Sequence, residues 1–123
     1  MRLKETKIEL QGLRLFGNHG ITDAEQAVGS NFELNISLFF GGNLESFGKD
    51  SLEQTVDYAE ACKLVKETFQ QTSKTLENVA ARIAKELLSH FQLLTKVQVE
   101  IKKLNPPLQI ECDAAAVILI VER

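Results

Sequence analysis

Apolar and polar residues alternate along four segments of the chain, and each alternation predicts a β-strand. The first strand is expected over Lys7–Phe16, with a phase slip at Gln11–Gly12 that indicates a β-bulge. The second covers 31–40, and the third begins at Lys96. The fourth, Ala114–Glu122, is apolar in both phases, which predicts that both of its faces are covered. On the second strand one face is entirely apolar, with Phe32, Leu34, Ile36, Leu38 and Phe40.

Two segments between the second and third strands have the apolar spacing of helices. Asp57 followed by Glu60 resembles a capping box at the start of the first helix. Ser73 or Thr75 is the expected N-cap of the second. The stretches 17–30 and 41–54 are predicted as loops, the later one with a short helical turn. The predicted stripes are Tyr58, Ala61, Cys62, Val65 and Phe69, then Leu76, Val79, Ala80, Ile83, Leu87 and Phe91.

The order β-β-α-α-β-β predicts a single α+β domain over residues 1–123. In it, a four-stranded antiparallel sheet carries both helices on one face. Such a sheet has one face without helices and two open edges. Closure of several chains into a barrel would cover both, so the pattern predicts a homo-oligomer.

Composition narrows the function classes. Hydrophobic residues make up 44% and charged residues 25% of the chain, as in an ordinary globular protein. The net charge of −3 and the lack of a basic stripe do not favour nucleic-acid binding. No apolar run approaches the roughly 20 residues that cross a bilayer. The N-terminal stretch MRLKETKIEL is too polar for a signal peptide, so a cytoplasmic protein is expected.

Histidines and cysteines are sparse. His19 and His90 form no metal-binding pair, Cys62 and Cys112 form no Cys-x-x-Cys motif, and no metal site is expected. No phosphate loop or dinucleotide fingerprint is present, so no nucleotide cofactor is predicted. The stretch GNHG at 17–20 is interpreted as a loop turn in which glycines supply positive φ.

Lys103 breaks the pattern of the third strand. Val97, Val99 and Ile101 share one apolar face, and the next residue in that phase is Lys103, just before Leu-Asn-Pro-Pro. One interpretation is a strand end from which the lysine reaches solvent. The other is a lysine partly withdrawn from water, with a lowered pKa, that serves as a base. The sequence pattern leaves both open.

Three further residues are candidates for chemistry. Glu25 lies in a predicted loop, Tyr58 opens the first helix, and Glu77 lies in the first turn of the second helix. Glu77 could equally be a carboxylate that stabilises the helix dipole. No spacing argument brings these residues to Lys103. Residue chemistry therefore predicts an α+β oligomer with a lysine-containing site and no particular reaction.

Five motifs, in order, resemble the dihydroneopterin aldolase family of the tunnelling-fold superfamily, and the resemblance runs from about Lys7 to Arg123. One departure is PPLQI at 106–110, where the family often has PPIPG. The motifs are FGNHG at 16–20, DAEQAVGSNFELNISL at 23–38, SLEQTVDY at 51–58, TLENVAARIA at 75–84 and VEIKKLNPP at 99–107.

The resemblance implies a retro-aldol reaction of folate biosynthesis. 7,8-Dihydroneopterin is cleaved to 6-hydroxymethyl-7,8-dihydropterin and glycolaldehyde, and the ring C=N bond accepts the electrons without a metal, a cofactor or a Schiff base. Lys103 is implied as the proton-transfer group. Tyr58 is implied to protonate or stabilise the enol-like intermediate, and Glu25 to lie near the side-chain hydroxyls.

The resemblance also implies a pterin-binding edge. The carboxylate of Glu77 matches two adjacent N–H donors of the pterin. Backbone groups of Leu76 and Val56 are implied to complete that edge. In the family, sites lie between neighbouring subunits of an octamer made of two stacked four-subunit rings.

Two alternatives stay open. An epimerase acting on dihydroneopterin or its triphosphate would use the same residues. A non-catalytic pterin-binding or structural oligomer would need Glu77 but neither Tyr58 nor Lys103. Pyruvoyl-tetrahydropterin synthase of the same fold needs a histidine zinc site, and a nitrile reductase of the fold needs a nucleophilic cysteine in a different motif.

Overall fold

A computed structural model describes residues 1–123. Four antiparallel strands form one sheet in the order β1-β2-β3-β4, so β1 and β4 are its edges. This confirms the predicted α+β class. The strands are β1 (Thr6–Gly17), β2 (Ser30–Phe40), β3 (Leu94–Leu104) and β4 (Ala114–Glu122), and the two long helices are α3 (Tyr58–Phe69) and α4 (Leu76–His90).

Both predicted loops contain helix. A six-residue helix, α1 (Asp23–Val28), lies in the stretch expected to be loop between β1 and β2. The second stretch holds α2 (Leu44–Gly48) and a 3-10 turn at Leu52–Gln54. The short helical turn predicted for the second stretch is thus confirmed, whereas α1 was not predicted, because six residues are too few to show an apolar repeat.

The core lies between the sheet and the two long helices. The five apolar residues predicted for one face of β2 are at most 2% exposed, which confirms that face. Burying side chains of this size is worth about 1.5–3 kcal/mol each. They pack with Val97, Val99 and Ile101 of β3 and with the stripes of both helices. The sheet is therefore a rigid platform for whatever lies at the ends of its strands.

The predicted bulge in β1 is confirmed at Gly12. Pairing of β1 with β2 shifts register between Leu10 and Leu13, and Gly12 has φ of 67°. Its N–H donates to Asn35 Oδ1 at 2.8 Å. Glycine adopts this backbone conformation without the steric cost of a Cβ.

The start of α3 differs from the prediction in two ways. The Asp57 side chain caps the helix by accepting from the N–H groups of Ala59 and Glu60. The Glu60 carboxylate, however, contacts His90 Nε2 at 2.6 Å, so the reciprocal half of the predicted capping box is wrong. Tyr58 was assigned to the buried stripe, but it is 63% exposed. It occupies the first position of α3, and the first buried residue of this helix is Ala61.

The sheet face without helices is open in the single chain. On β4, Ile118 is 51% exposed and Ile120 is 63% exposed. Within a single chain, the face of β4 that carries Ile118 and Ile120 is thus not covered, although both faces were expected to be. None of the helices combines the length and the apolar composition of a membrane span.

Candidate active site

Lys103 lies at the end of β3 with its side chain on the core side of the sheet. It pairs with Phe32 across β2 and is only 8% exposed. The interpretation as a strand end that reaches solvent is therefore wrong. Its Nζ donates to Glu25 Oε2 at 2.7 Å. Because side chains alternate along β3, the amino group of Lys103 lies in a partly enclosed site, where it contacts the carboxylate of Glu25.

A capping box holds Glu25 in position. Thr22 Oγ1 accepts from the Glu25 N–H at 3.1 Å, and Glu25 Oε1 accepts from the Thr22 N–H at 3.3 Å. One carboxylate oxygen thus stabilises the start of α1, while the other faces Lys103. The sequence carries a signal for this arrangement, the capping-box spacing Thr22-x-x-Glu25.

These contacts lower the pKa of Glu25. The hydrogen bond from Lys103 is the largest cause, followed by the N–H of Thr22, and both favour the charged carboxylate. A pKa below the ordinary value of 4.5 means that the interaction stabilises the fold above pH 4.5. That contribution is lost as the pH falls through the lowered pKa.

The start of α4 lies at the same end of the sheet. Gly20, which packs against Glu25, donates its N–H to the carbonyl of Ser73 at 3.1 Å. Ser73 precedes the α4 N-cap, Thr75, by two residues. Leu76 and Glu77 form the first turn, in which Leu76 is half-buried and Glu77 is exposed. The start of α4, with Leu76 and Glu77, therefore adjoins the segment that carries Glu25.

Glycines 17 and 20 are required for close packing. A Cβ at Gly20 would lie 2.4 Å from Glu25 Cβ, and one at Gly17 would lie 2.7 Å from Phe69. Neither residue has positive φ, so the interpretation that these glycines supply positive φ is wrong. They allow the chain between β1 and α1 to approach the core and place Glu25 over Lys103.

Tyr58 and Val56 lie elsewhere. Both line a cleft of about 670 Å³ beside Ile8 and Glu9 of β1. Tyr58 is exposed to that cleft, whereas the side chain of Val56 is buried. Lys103 is not part of its lining.

The strand register separates the two groups. Ile8 pairs with Leu38, which pairs with Val97, and Val97 lies six positions before Lys103 on β3. At about 3.3 Å per residue, that is about 20 Å along the sheet.

The length of α3 gives the same separation. Its last residue, Phe69, packs against Phe32 with ring centroids 5.4 Å apart, and Phe32 is the partner of Lys103. Tyr58 is at the other end of this helix of 12 residues, about 16 Å away. One chain therefore brings Glu25, Lys103 and the start of α4 together and leaves Tyr58 and Val56 at the opposite end.

Comparison with known proteins shows the family of this chain. The family model for dihydroneopterin aldolase (FolB) matches residues 8–120. A dihydroneopterin aldolase of Staphylococcus epidermidis is 34% identical over 117 residues, which covers 94% of this chain and 95% of that protein. The chain belongs to the dihydroneopterin aldolase family. The family and the class of enzyme predicted from the sequence, a carbon–carbon lyase, are thereby confirmed.

Solved structures of dihydroneopterin aldolases share the fold. The Escherichia coli enzyme, in complex with neopterin, superposes with a TM-score of 0.84 at 18% identity, over 94% of this chain and 98% of that one. The Burkholderia thailandensis enzyme, bound to guanine, has a TM-score of 0.74 at 22% identity, over 97% and 92% of the two chains. The predicted tunnelling fold is confirmed.

Candidate metal ligands are scattered. No group of three or more histidine, cysteine or carboxylate side chains is placed to hold a metal ion. His90 contacts only Glu60 among the carboxylates, and His19 is enclosed between aromatic rings. Cys112 is exposed and Cys62 half-buried, and neither forms a disulfide. The charged groups that meet at the end of β3 are Lys103 and Glu25.

Replacing Lys103 with methionine should raise the pKa of Glu25 toward 4.5, because the largest cause of its lowering is removed. A carboxyl-carbon NMR titration of the variant measures this directly. Lys102→Met is the matched control, since Lys102 contacts Glu33 on the opposite face of β3. A Glu25 titration that is the same in Lys103→Met and in the unmodified protein would contradict the pairing.

Proposed function

We propose that this chain is a dihydroneopterin aldolase that performs the retro-aldol cleavage of 7,8-dihydroneopterin. The products are 6-hydroxymethyl-7,8-dihydropterin and glycolaldehyde. The observation that supports this most strongly is the Lys103–Glu25 contact of 2.7 Å at the end of β3, beside the start of α4. It supports a proton-transfer role for Lys103 at the same end of the sheet as Glu77, the carboxylate that we propose holds the pterin, in a chain of the matching family.

Lys103 moves the protons in this scheme. Cleavage requires that a side-chain hydroxyl lose its proton as the adjacent carbon–carbon bond breaks and releases glycolaldehyde, and that the carbon next to the ring then gain a proton. The ring C=N bond holds the electrons between these two steps. Glu25 keeps the Lys103 side chain in one place, so that its Nζ meets the reacting end of the substrate. Positioned acid–base groups of this kind typically contribute 10²–10⁴-fold to rate, an order-of-magnitude range.

Glu77 anchors the ring. Its exposed carboxylate accepts hydrogen bonds from the 2-amino group and the adjacent ring N–H of the pterin. Backbone groups of Leu76 and, from another chain, Val56 complete this edge. The Burkholderia enzyme is bound to guanine, whose 2-amino and ring N–H edge has the same donors as a pterin. That likeness supports the assignment of Glu77 to binding.

Tyr58 must come from a neighbouring chain. It lies about 16 Å from the Lys103 end of its own molecule, as the rise along α3 requires. The open edges β1 and β4 and the exposed Ile118 and Ile120 offer surfaces on which chains can join. We propose a ring of chains in which the Tyr58 cleft of one meets the Lys103–Glu25 pair of the next. Two such rings stacked together make the octamer.

The proposed activity is tested by incubating the purified protein with 7,8-dihydroneopterin and measuring glycolaldehyde. Lys103→Ala should lower kcat by at least about 100-fold, because it removes the proton-transfer group. Lys102→Ala, one residue back and on the opposite face, should be nearly silent. If the substrate is converted only to its epimer, the protein is the epimerase instead. A larger loss in Lys102→Ala would contradict the role of Lys103.

Glu77→Ala should weaken binding of 6-hydroxymethyl-7,8-dihydropterin by several kcal/mol. This is on the order of the contribution of two hydrogen bonds to a charged group, both of which the variant loses. Two ligand donors would then be buried without a partner. Titration calorimetry measures the change, and Glu86→Ala on the same helix is the control. Unchanged affinity would remove Glu77 from the site.

Mixed oligomers test the shared site. Lys103→Ala and Tyr58→Phe chains, each of low activity alone, should regain activity when they are co-expressed. Random assembly gives about one site in four that combines an intact Lys103 with an intact Tyr58 from the neighbour. Chromatography and light scattering establish that the mixed assembly forms. If activity does not exceed the average of the two variants, the residues do not act across a subunit boundary.

A further inference from the structure

His19 is a buried polar residue that the proposed reaction does not use. It follows β1 in the stretch 17–20 and is 1% exposed. Its ring makes edge-on contacts with Phe32 and Phe69, at centroid distances of 5.4 Å and 4.6 Å. An imidazole in such a place must satisfy both of its nitrogens within the protein, because water does not reach them.

The hydrogen bonds of His19 fix its tautomer. The backbone N–H of Ser73 donates to Nδ1 at 3.1 Å, so Nδ1 carries no proton. Nε2 therefore carries the proton and donates it to the carbonyl of Phe69 at 2.9 Å. Burial is the largest cause and lowers the pKa of His19; the hydrogen bond to Phe69 opposes it, and the charges of Arg82 and Lys103 lower the pKa further. The imidazole is neutral at neutral pH, which is the only state that can accept from Ser73.

These two bonds join segments that carry different parts of the site. On one side is the chain from Gly17 to Gly20, which leads into Thr22 and Glu25. Its end is tied further by Gln26, whose Nε2 donates to the Gly20 carbonyl at 2.9 Å. On the other side is the turn from Phe69 to Ser73, which leads into α4.

Ser73 connects this turn to α4. Its side chain donates to Asn78 Oδ1 at 2.7 Å, and the N–H of Asn78 in turn donates to Thr75 Oγ1, the cap of the helix. Glu77 lies within that turn. A displacement of Ser73 would therefore displace the carboxylate that binds the ring.

We propose that His19 is a positioning residue that sets the distance between the Lys103–Glu25 pair and Glu77, by bonding the Glu25 segment to the approach of α4. The inference rests on the proposed function of that site. It explains why a histidine lies among aromatic rings. A phenylalanine would keep the ring contacts but leave the Ser73 N–H and the Phe69 carbonyl buried and unpaired.

Three variants separate the contributions. His19→Phe keeps an aromatic ring and loses both hydrogen bonds. His19→Asn keeps an acceptor close to the place of Nδ1 and so retains the bond from Ser73. Arg123→Ala is the control for stability, because it removes bonds to the carbonyls of Leu88, Phe91 and Leu94 at the far end of α4.

The expected results follow from a change in the distance between the Lys103–Glu25 pair and Glu77. His19→Phe should lower kcat/KM between about 10- and 100-fold, the cost of a small misplacement of reacting groups. It should also raise the pKa of Glu25 toward 4.5 in an NMR titration, since the contact with Lys103 loosens. His19→Asn should recover most of both properties. Arg123→Ala should lower the midpoint of thermal unfolding and change neither kcat/KM nor the pKa of Glu25.

Other outcomes would overturn the proposal. If His19→Phe is folded and leaves both kcat/KM and the Glu25 titration unchanged, His19 is a packing residue only. If His19→Phe does not fold, His19→Asn and His19→Gln decide the matter, because Gln does not offer its acceptor at the place of Nδ1. Equal kcat/KM values for these two would contradict the role of the Ser73 bond. The Glu25 titration needs no turnover, so an inactive unmodified protein would sink the proposed function and still leave His19 tested.

Discussion

The register between β2 and β3 is the constraint on which the site depends. Because Phe32 pairs with Lys103, the side chain of Lys103 falls on the face that carries the core. A slip of one residue would exchange it with Lys102 and turn every buried residue of β3 outward. The same apolar packing that stabilises the sheet therefore holds the ammonium group at the end of the strand. Fold stability and site geometry have one physical origin here.

The elements with a regular apolar pattern could be predicted from the sequence, and the short helix α1 could not. The apolar alternation on β2, the slip at Gly12 and the bounds of β4 could all be derived from side-chain periodicity. The helix α1 could not, because six residues are too few for a periodic pattern. The start of α1 is nevertheless indicated by the capping-box spacing Thr22-x-x-Glu25, which is a pattern of hydrogen-bonding residues and not of apolar ones.

The candidate site was only partly predictable for a similar reason. The anomaly at Lys103 was visible, since it interrupts a regular face. Its pairing with Glu25 joins residues that are 78 positions apart and depends on the path of the chain past Gly17 and Gly20. His19 belongs to the FGNHG motif, but no apolar periodicity surrounds it in the sequence, so its burial between Phe32 and Phe69 could not be predicted. The placement of Tyr58 at the far end of α3 follows from helix length and sheet register together. A single chain therefore does not bring Tyr58 to Lys103.

Glu25 combines two duties in one carboxylate. Oε1 accepts from Thr22, and Oε2 accepts from Lys103. An amide of the same size has only one acceptor oxygen, so glutamine at this position must abandon either the helix start or the lysine. Aspartate has two oxygens but lacks the methylene that lets them span both partners. The residue at position 25 must therefore satisfy both the backbone at the start of α1 and the side chain of Lys103. A substitution there changes the local fold and the proposed chemistry together.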